Sequence, residues 1–264
     1  MITTGTPIDC AYTVGGRGPA VILVHGIGSR RQAWDTIAYG LERAFTVVRY
    51  DLRGHGESPL PRESFGLGDL VADIEALRQK LDLNRVHIVG HSLGGMIGPA
   101  YARLYPSQVA TLSLVSTAAF RTEDDRKTVL GVVDAIAKEG LDRILPVLVK
   151  RWFTDAFAER RPEVVQRRLD LVRSTDFSVF LNVFRIYAET EMAPWLHEVS
   201  TPTLVTTGEF DGGCSPRLNE QIARALPDSK LQILNGLKHD VLSEAPDRVL
   251  RVVLAFLEHH AEAS

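Results

Sequence analysis

Short runs of apolar, largely β-branched residues punctuate the chain at Ala20–Val24, Thr46–Tyr50, Val86–Val89, Thr111–Val115, Thr203–Thr206 and Leu231–Leu234. Each is too short for a helix and too uniformly apolar for a strand with one wet face. They therefore predict strands buried on both sides of a sheet. Between several of them, over 70–81, 94–104, 218–225 and 246–257, apolar residues recur at helical spacing. Strands alternating with helices predict a mainly parallel sheet flanked by helices, an α/β fold. The opening stretch Ile8–Val14, followed by Gly15-Gly16-Arg17-Gly18, predicts an antiparallel hairpin at the sheet edge.

The alternation breaks between residues 120 and 197, where the pattern is helical throughout. Helices are expected near 129–137, 141–153, 162–172 and 177–187, with Pro162 at a first helical position and Asp176 as an N-cap. An insertion of this size predicts a helical cap over the C-terminal edge of the sheet, where open α/β sheets bind ligands. Residues 1–119 and 198–264 then form the core domain and 120–197 the cap.

Composition narrows the class without naming a function. The chain has 264 residues, 45% of them hydrophobic and 24% charged, as in an ordinary soluble enzyme. A formal charge of -3 gives no electrostatic reason to expect nucleic acid or an anionic membrane as partner, so a small-molecule substrate is expected. The first residues, MITTGTPIDCAY, show no secretory pattern, and no run approaches the roughly 18 apolar residues of a spanning helix; a cytoplasmic protein is expected. Cys10 and Cys214 are far apart and lack metal-type spacing. Monomer and homo-oligomer are equally compatible with the pattern.

The chemistry is carried first by Val86-His87-Ile88-Val89-Gly90-His91-Ser92-Leu93-Gly94-Gly95: a strand, then G-x-S-x-G, then a helical pattern. This is the context of a nucleophile elbow, in which a serine on a strained turn lifts its hydroxyl clear of the sheet. A serine hydroxyl is a weak nucleophile and needs a base, itself oriented by a third group. Such partners follow the serine in the order acid, then histidine. The strand Thr203–Thr206 leads into Gly208-Glu209-Phe210-Asp211, and Leu231–Leu234 leads into Asn235-Gly236-Leu237-Lys238-His239. Asp211 is the expected acid, with Glu209 its nearest rival, and His239 the expected general base.

His25-Gly26-Ile27-Gly28 follows the strand Ala20–Val24 and Leu93 follows the serine. The backbone N–H groups of Ile27 and Leu93 are the expected pair of oxyanion donors. His25 and the turn Asp51-Leu52-Arg53-Gly54-His55-Gly56-Glu57-Ser58 read as a polar network bracing the site. Neither a dinucleotide nor a nucleotide phosphate fingerprint is present, and no HExxH or CxxC occurs, so no cofactor and no metal are expected.

The motifs HGIG, DLRGHGES, GHSLGG, GEFD and GLKHD, in this order, resemble the α/β-hydrolase superfamily over essentially the whole chain. Within it, Arg151-Trp152-Phe153-Thr154-Asp155-Ala156-Phe157 followed by Arg161-Pro162-Glu163-Val164-Val165 is similar to the 3-oxoadipate enol-lactonases. The resemblance implies a cofactor-free serine triad on Ser92, Asp211 and His239, with Trp152 lining the substrate pocket. Phe153, Phe184 and Tyr187 are further pocket candidates, and Arg151 or Arg185 a candidate ligand for a substrate carboxylate. The first expectation is hydrolysis of a small carboxylic ester or lactone through an acyl-enzyme. Carbon–carbon bond hydrolysis of ring-cleavage products, and ligand sensing without turnover, are the alternatives.

Overall fold

The computed structural model describes residues 5–261. In chain order it forms β1 (Tyr12–Gly16), β2 (Ala20–Val24), α1 (Asp35–Leu41), β3 (Thr46–Tyr50), α2 (Leu67–Lys80), β4 (Val86–His91), α3 (Gly94–Leu104) and β5 (Val109–Val115). Five helices follow: α4 (Glu123–Glu139), α5 (Leu141–Trp152), α6 (Asp155–Arg160), α7 (Pro162–Ser174) and α8 (Phe177–Glu189). The chain closes with β6 (Thr203–Gly208), α9 (Pro216–Ala225), β7 (Ser229–Leu234), α10 (Val241–Glu244) and α11 (Pro246–Ala261).

The strands form one sheet in the order β1-β3-β2-β4-β5-β6-β7, parallel except for β1. This is the mainly parallel, helix-flanked sheet that the alternation predicts. Every residue of β2, β4, β5 and β6 is buried, whereas the edge strand β7 alternates between covered and exposed positions. Central strands are covered on both faces, which is why their sequences read as unbroken apolar runs.

Alternate residues feed two cores. On one face Ile22, Val48, Ile88 and Leu112 pack with Ile74 of α2 and Met96 and Ile97 of α3. On the other, Val21, Leu23, Val47 and Val89 pack with Ile37 of α1 and Val249 and Val253 of α11. Burying each such aliphatic side chain contributes about 1.5–3 kcal/mol, so an aspartate at Val253 would unseat α11.

One expectation needs correction. The first strand is antiparallel and at the edge, but it pairs with β3, Tyr12 opposite Tyr50, and makes no hairpin with β2. The segment between β1 and β2 is threaded tightly against the chain entering β3: a Cβ at Gly16 or Gly18 would lie 2.2 Å from the carbonyl oxygens of Phe45 and Ala44. Both edges of β2 are taken by the parallel partners β3 and β4. The right-handed crossovers of a parallel sheet place those partners there, and the opening strand is left to add beyond β3.

Between β5 and β6 the described chain is helical and contains no strand. α4 begins with a capping box in which Thr122 and Asp125 exchange side-chain and backbone hydrogen bonds of 3.1 and 2.9 Å. Asp176 caps α8 by accepting from the N–H groups of Ser178 and Val179, and Pro162 opens α7. Ile136, Leu145, Leu148, Val172 and Phe180 form a small core within these helices. Val129, Val133 and Val183 join them to the core of the sheet.

Candidate active site

Ser92 occupies the turn between β4 and α3 with φ +55°, a conformation that costs a non-glycine residue about 1–3 kcal/mol. The turn holds because its neighbours over-determine it. The Ser92 N–H donates to the Val115 carbonyl at 2.9 Å, and the Thr117 hydroxyl donates to the Ser92 carbonyl at 2.9 Å. No side chain fits on either flank: a Cβ at Gly90 would lie 2.2 Å from the Gly94 carbonyl oxygen, and one at Gly94 would lie 2.2 Å from that of Val24.

The loop after β2 approaches this serine closely, since a Cβ at Gly26 would stand 3.1 Å from the Cβ of Ser92. Three consecutive carbonyls of the loop, those of Gly26, Ile27 and Gly28, and the Gly28 N–H are held by side chains. His25 Nε2 accepts from the Leu52 N–H at 2.9 Å, which places its proton on Nδ1, where it donates to the Gly26 carbonyl at 2.8 Å. His55 Nε2 accepts from the Gly28 N–H at 3.2 Å. Arg168, from α7, donates to the carbonyls of Ile27 and Gly28. Among the described residues, however, the N–H groups of Ile27 and Leu93 donate to no protein acceptor. Leu93 immediately precedes α3, so its N–H lies at the positive end of the helix.

Behind the loop lies the expected polar network. Asp51 accepts from the N–H groups of Arg31 and Glu57 at 2.7 and 3.0 Å and from the Arg31 guanidinium. Arg53 pairs with Asp73. Burial pushes the pKa of His25 well below the ordinary histidine value and that of His55 down to about 4, so both rings brace the loop as neutral groups.

β6 and β7 deliver the other two candidates. Asp211 is buried and its Oδ2 accepts from His239 Nδ1 at 2.7 Å. The second oxygen, Oδ1, accepts from the N–H groups of Gly213 and Cys214 at 2.9 and 2.8 Å. Burial alone would raise the Asp211 pKa, yet the charge and hydrogen bond of His239 and these two N–H groups hold it below the ordinary carboxylate value. Burial likewise works to lower the His239 pKa, and the Asp211 charge and hydrogen bond, joined by the Cys214 side chain, override it, leaving the imidazole well above 6.5. Glu209 is turned elsewhere: it is exposed and accepts from the Gly236 N–H at 2.8 Å.

Ser92, His239 and Asp211 border one cavity of about 1210 Å³, open to solvent between the sheet and the helices that follow β5. Of the aromatic pocket candidates, Trp152, Phe184 and Tyr187 line it. Phe153 does not: it follows the end of α5, is 1% exposed and stacks on Phe157 with centroids 5.5 Å apart. Arg151 borders the cavity, whereas Arg185 is exposed on another face of its helix.

Arg168 escaped the sequence reading. Its guanidinium lies 4.5 Å from the centre of the Trp152 ring and 3.5 Å from Asp240. The available signal was the spacing in Val164, Arg168 and Val172, which puts this arginine on the inward stripe of α7.

A sharp strand-to-helix serine turn on a parallel sheet, with an acid and a histidine at two later strand ends, is the architecture of α/β hydrolases. The chain belongs to that family: the alpha/beta hydrolase fold model matches residues 19–246. It is 27% identical to 3-oxoadipate enol-lactonase 2 of Acinetobacter baylyi, the match covering 83% of this chain and 81% of the relative. It is 25% identical to the (E)-2-((N-methylformamido)methylene)succinate hydrolase of the same organism, over 94% and 93% of the two chains. Among solved structures, a thermophilic esterase from Thermogutta terrifontis superimposes with a TM-score of 0.88 at 28% identity, covering 98% of this chain and 97% of the esterase. No helix among the described residues is long and apolar enough to cross a membrane.

Proposed function

We propose that this protein is a serine hydrolase that cleaves a small carboxylic ester or lactone through an acyl-enzyme, with residues 120–197 acting as a cap over the site. The observation that carries the reading is the 2.7 Å pair of His239 and Asp211 on the same cavity as the elbow residue Ser92. In this mechanism Ser92 Oγ attacks the carbonyl carbon and His239 Nε2 takes its proton. Asp211 keeps the other imidazole proton on Nδ1. The N–H groups of Ile27 and Leu93, which donate to no protein acceptor among the described residues, receive the oxyanion, each worth roughly 3–4 kcal/mol in the transition state. His239 then returns the proton to the leaving oxygen. Water, activated by the same imidazole, releases the acyl group from Ser92.

A substrate bearing a carboxylate suits the cavity. Arg151, Arg160 and Arg167 line it beside the carboxylates of Asp35, Asp170 and Asp247, and among the described residues none of the three arginines has a carboxylate oxygen within 4.0 Å. The relatives named for an oxoadipate enol-lactone and for a substituted succinate point the same way. The test is stopped-flow hydrolysis of p-nitrophenyl esters of acetate and of succinate. A burst of nitrophenolate equal to the enzyme concentration, absent in Ser92→Ala, is expected, with the succinyl ester preferred. Unchanged turnover in Ser92→Ala would sink the mechanism.

A further inference from the structure

One group beside the His239–Asp211 pair takes no part in the proton transfers of this chemistry. Cys214, fully buried, sits three residues after Asp211. Its Sγ, a carboxylate oxygen of Asp211 and a ring nitrogen of His239 all lie within 4.8 Å of one another. We propose that Asp211, Cys214 and His239 form an inhibitory Zn²⁺ site, in which the metal takes the place of the proton between His239 and Asp211 and switches hydrolysis off. The inhibition rests on the triad reading given above; the metal site itself does not.

The donor set is one thiol sulfur, one imidazole nitrogen and one carboxylate oxygen, the combination Zn²⁺ selects and Mg²⁺ or Ca²⁺ avoids. Tetrahedral Zn²⁺, with bonds of about 2.0–2.3 Å, sets its donor atoms about 3.4–3.6 Å apart. The His239–Asp211 contact of 2.7 Å has to open by less than an ångström, and separations of at most 4.8 Å have to close by little more than one. Asp211, Gly213, His239 and Tyr187 line the solvent-connected cavity, which gives the ion an entry and water a fourth coordination position.

The surroundings are those that orient metal ligands. The Tyr187 hydroxyl lies 3.1 Å from the Cys214 sulfur and can donate to the thiolate. The Arg121 guanidinium lies 4.4 Å from the Tyr187 ring centre, which strengthens that hydroxyl as a donor. The Asp211 oxygen facing away from His239 is already fixed by two backbone N–H groups, so the carboxylate stays oriented when the metal takes the other.

The proton balance explains the inhibition. Starting from neutral imidazole, Zn²⁺ coordination sends the thiol proton to solvent and moves the imidazole proton from Nδ1 to Nε2. An Nε2 that carries a proton cannot accept one from Ser92. The same arrangement accounts for the failure of motif reading to find the site. Its ligands come from the loops after β6 and β7, with no CxxC or HExxH spacing.

The test uses the untagged full-length chain in a buffer that does not bind metal. Co²⁺ is expected to give a thiolate-to-cobalt charge-transfer band at one equivalent, competed away by Zn²⁺. That band should persist in Cys10→Ala, which removes the other cysteine, and vanish in Cys214→Ala. Zn²⁺ should abolish ester turnover reversibly with EDTA. Cys214→Ala should keep turnover and need at least about tenfold more Zn²⁺ for the same inhibition. Absence of the band in the wild type, its persistence in Cys214→Ala, or Zn²⁺ binding that leaves turnover unchanged would each overturn the proposal. A protein without any esterase activity that still shows the Cys214-dependent band would retain the metal site and lose the hydrolase reading.

Discussion

Arg168 Nη2 donates to the carbonyl oxygen of Ile27 at 2.9 Å, so a residue from the helices beyond β5 fixes the loop that packs against Ser92. The same guanidinium reaches the Gly28 carbonyl and stacks on Trp152. Hydrogen bonds from a charged donor contribute about 1.5–3 kcal/mol. Arg168→Met is therefore expected to lower kcat by about 10- to 100-fold through a misplaced Ile27 N–H. The diagnostic reading is a trifluoromethyl ketone inhibitor, whose affinity should fall in parallel with kcat/KM while KM moves little. A change confined to KM would show that Arg168 serves substrate binding instead.

The His239–Asp211 pair makes activity depend on pH in a fixed direction. In the proposed mechanism His239 serves as base only when neutral, and the buried Asp211 charge holds its pKa well above 6.5. The acidic limb of kcat/KM should thus rise through a midpoint above 6.5. Asp211→Asn should move that midpoint down and cost about 10⁴-fold in rate. Stability runs oppositely: a raised folded-state pKa contributes stability fully below the unfolded value, and that contribution is lost as pH rises through the folded one. Urea midpoints of wild type and Asp211→Asn should accordingly converge as the pH is raised.

How much of this was legible in the sequence divides along physical lines. β2, β4, β5 and β6 were readable because strands covered on both faces are uniformly apolar. Ser92 was readable because Gly90 and Gly94 are required by backbone contacts at 2.2 Å, a local constraint that leaves a local motif. The pairing of β1 with β3 was not, since it depends on which sheet edge stays free after the crossovers are made. Phe153 and Trp152 are adjacent in sequence, yet one is packed away and the other faces the cavity. The end of α5 decides between them, and periodicity places such ends only to within a residue or two. Arg168 and Cys214 contact partners more than twenty residues distant, so local spacing can place Arg168 on an inward stripe but names the partner of neither.

Four buried histidines are expected to make the protein acid-labile. Burial pushes His55, His87 and His91 down to about 4 and His25 well below its ordinary value. In the unfolded chain each titrates near 6.5. Unfolding between pH 6.5 and 4 therefore takes up protons, approaching about four per molecule, and stability present above pH 6.5 is lost as the pH falls. His239, protonated in the folded state there, opposes this slope only near pH 6.5, where the unfolded imidazole is still half neutral. Urea midpoints measured from pH 7.5 to 5 should fall steeply below 6.5, and a flat profile would show that these rings are charged in the folded protein.

The strained serine predicts a trade between activity and stability that can be measured with two substitutions at one position. Ser92 holds φ +55° with a Cβ in place, and only glycine adopts that conformation without steric cost. Ser92→Ala and Ser92→Gly both remove the hydroxyl and should both be inactive. Ser92→Ala retains the Cβ and its strain. Ser92→Gly relieves it, at the expense of extra freedom in the unfolded chain that offsets part of the gain. The glycine variant should be more stable than the alanine variant by about 1 kcal/mol, a rise of about 2–4 °C in Tm for a domain of this size. Equal melting temperatures would mean that the turn stores no strain, and that the close contacts of Gly90 and Gly94, not the conformation of Ser92, set the stability of the elbow.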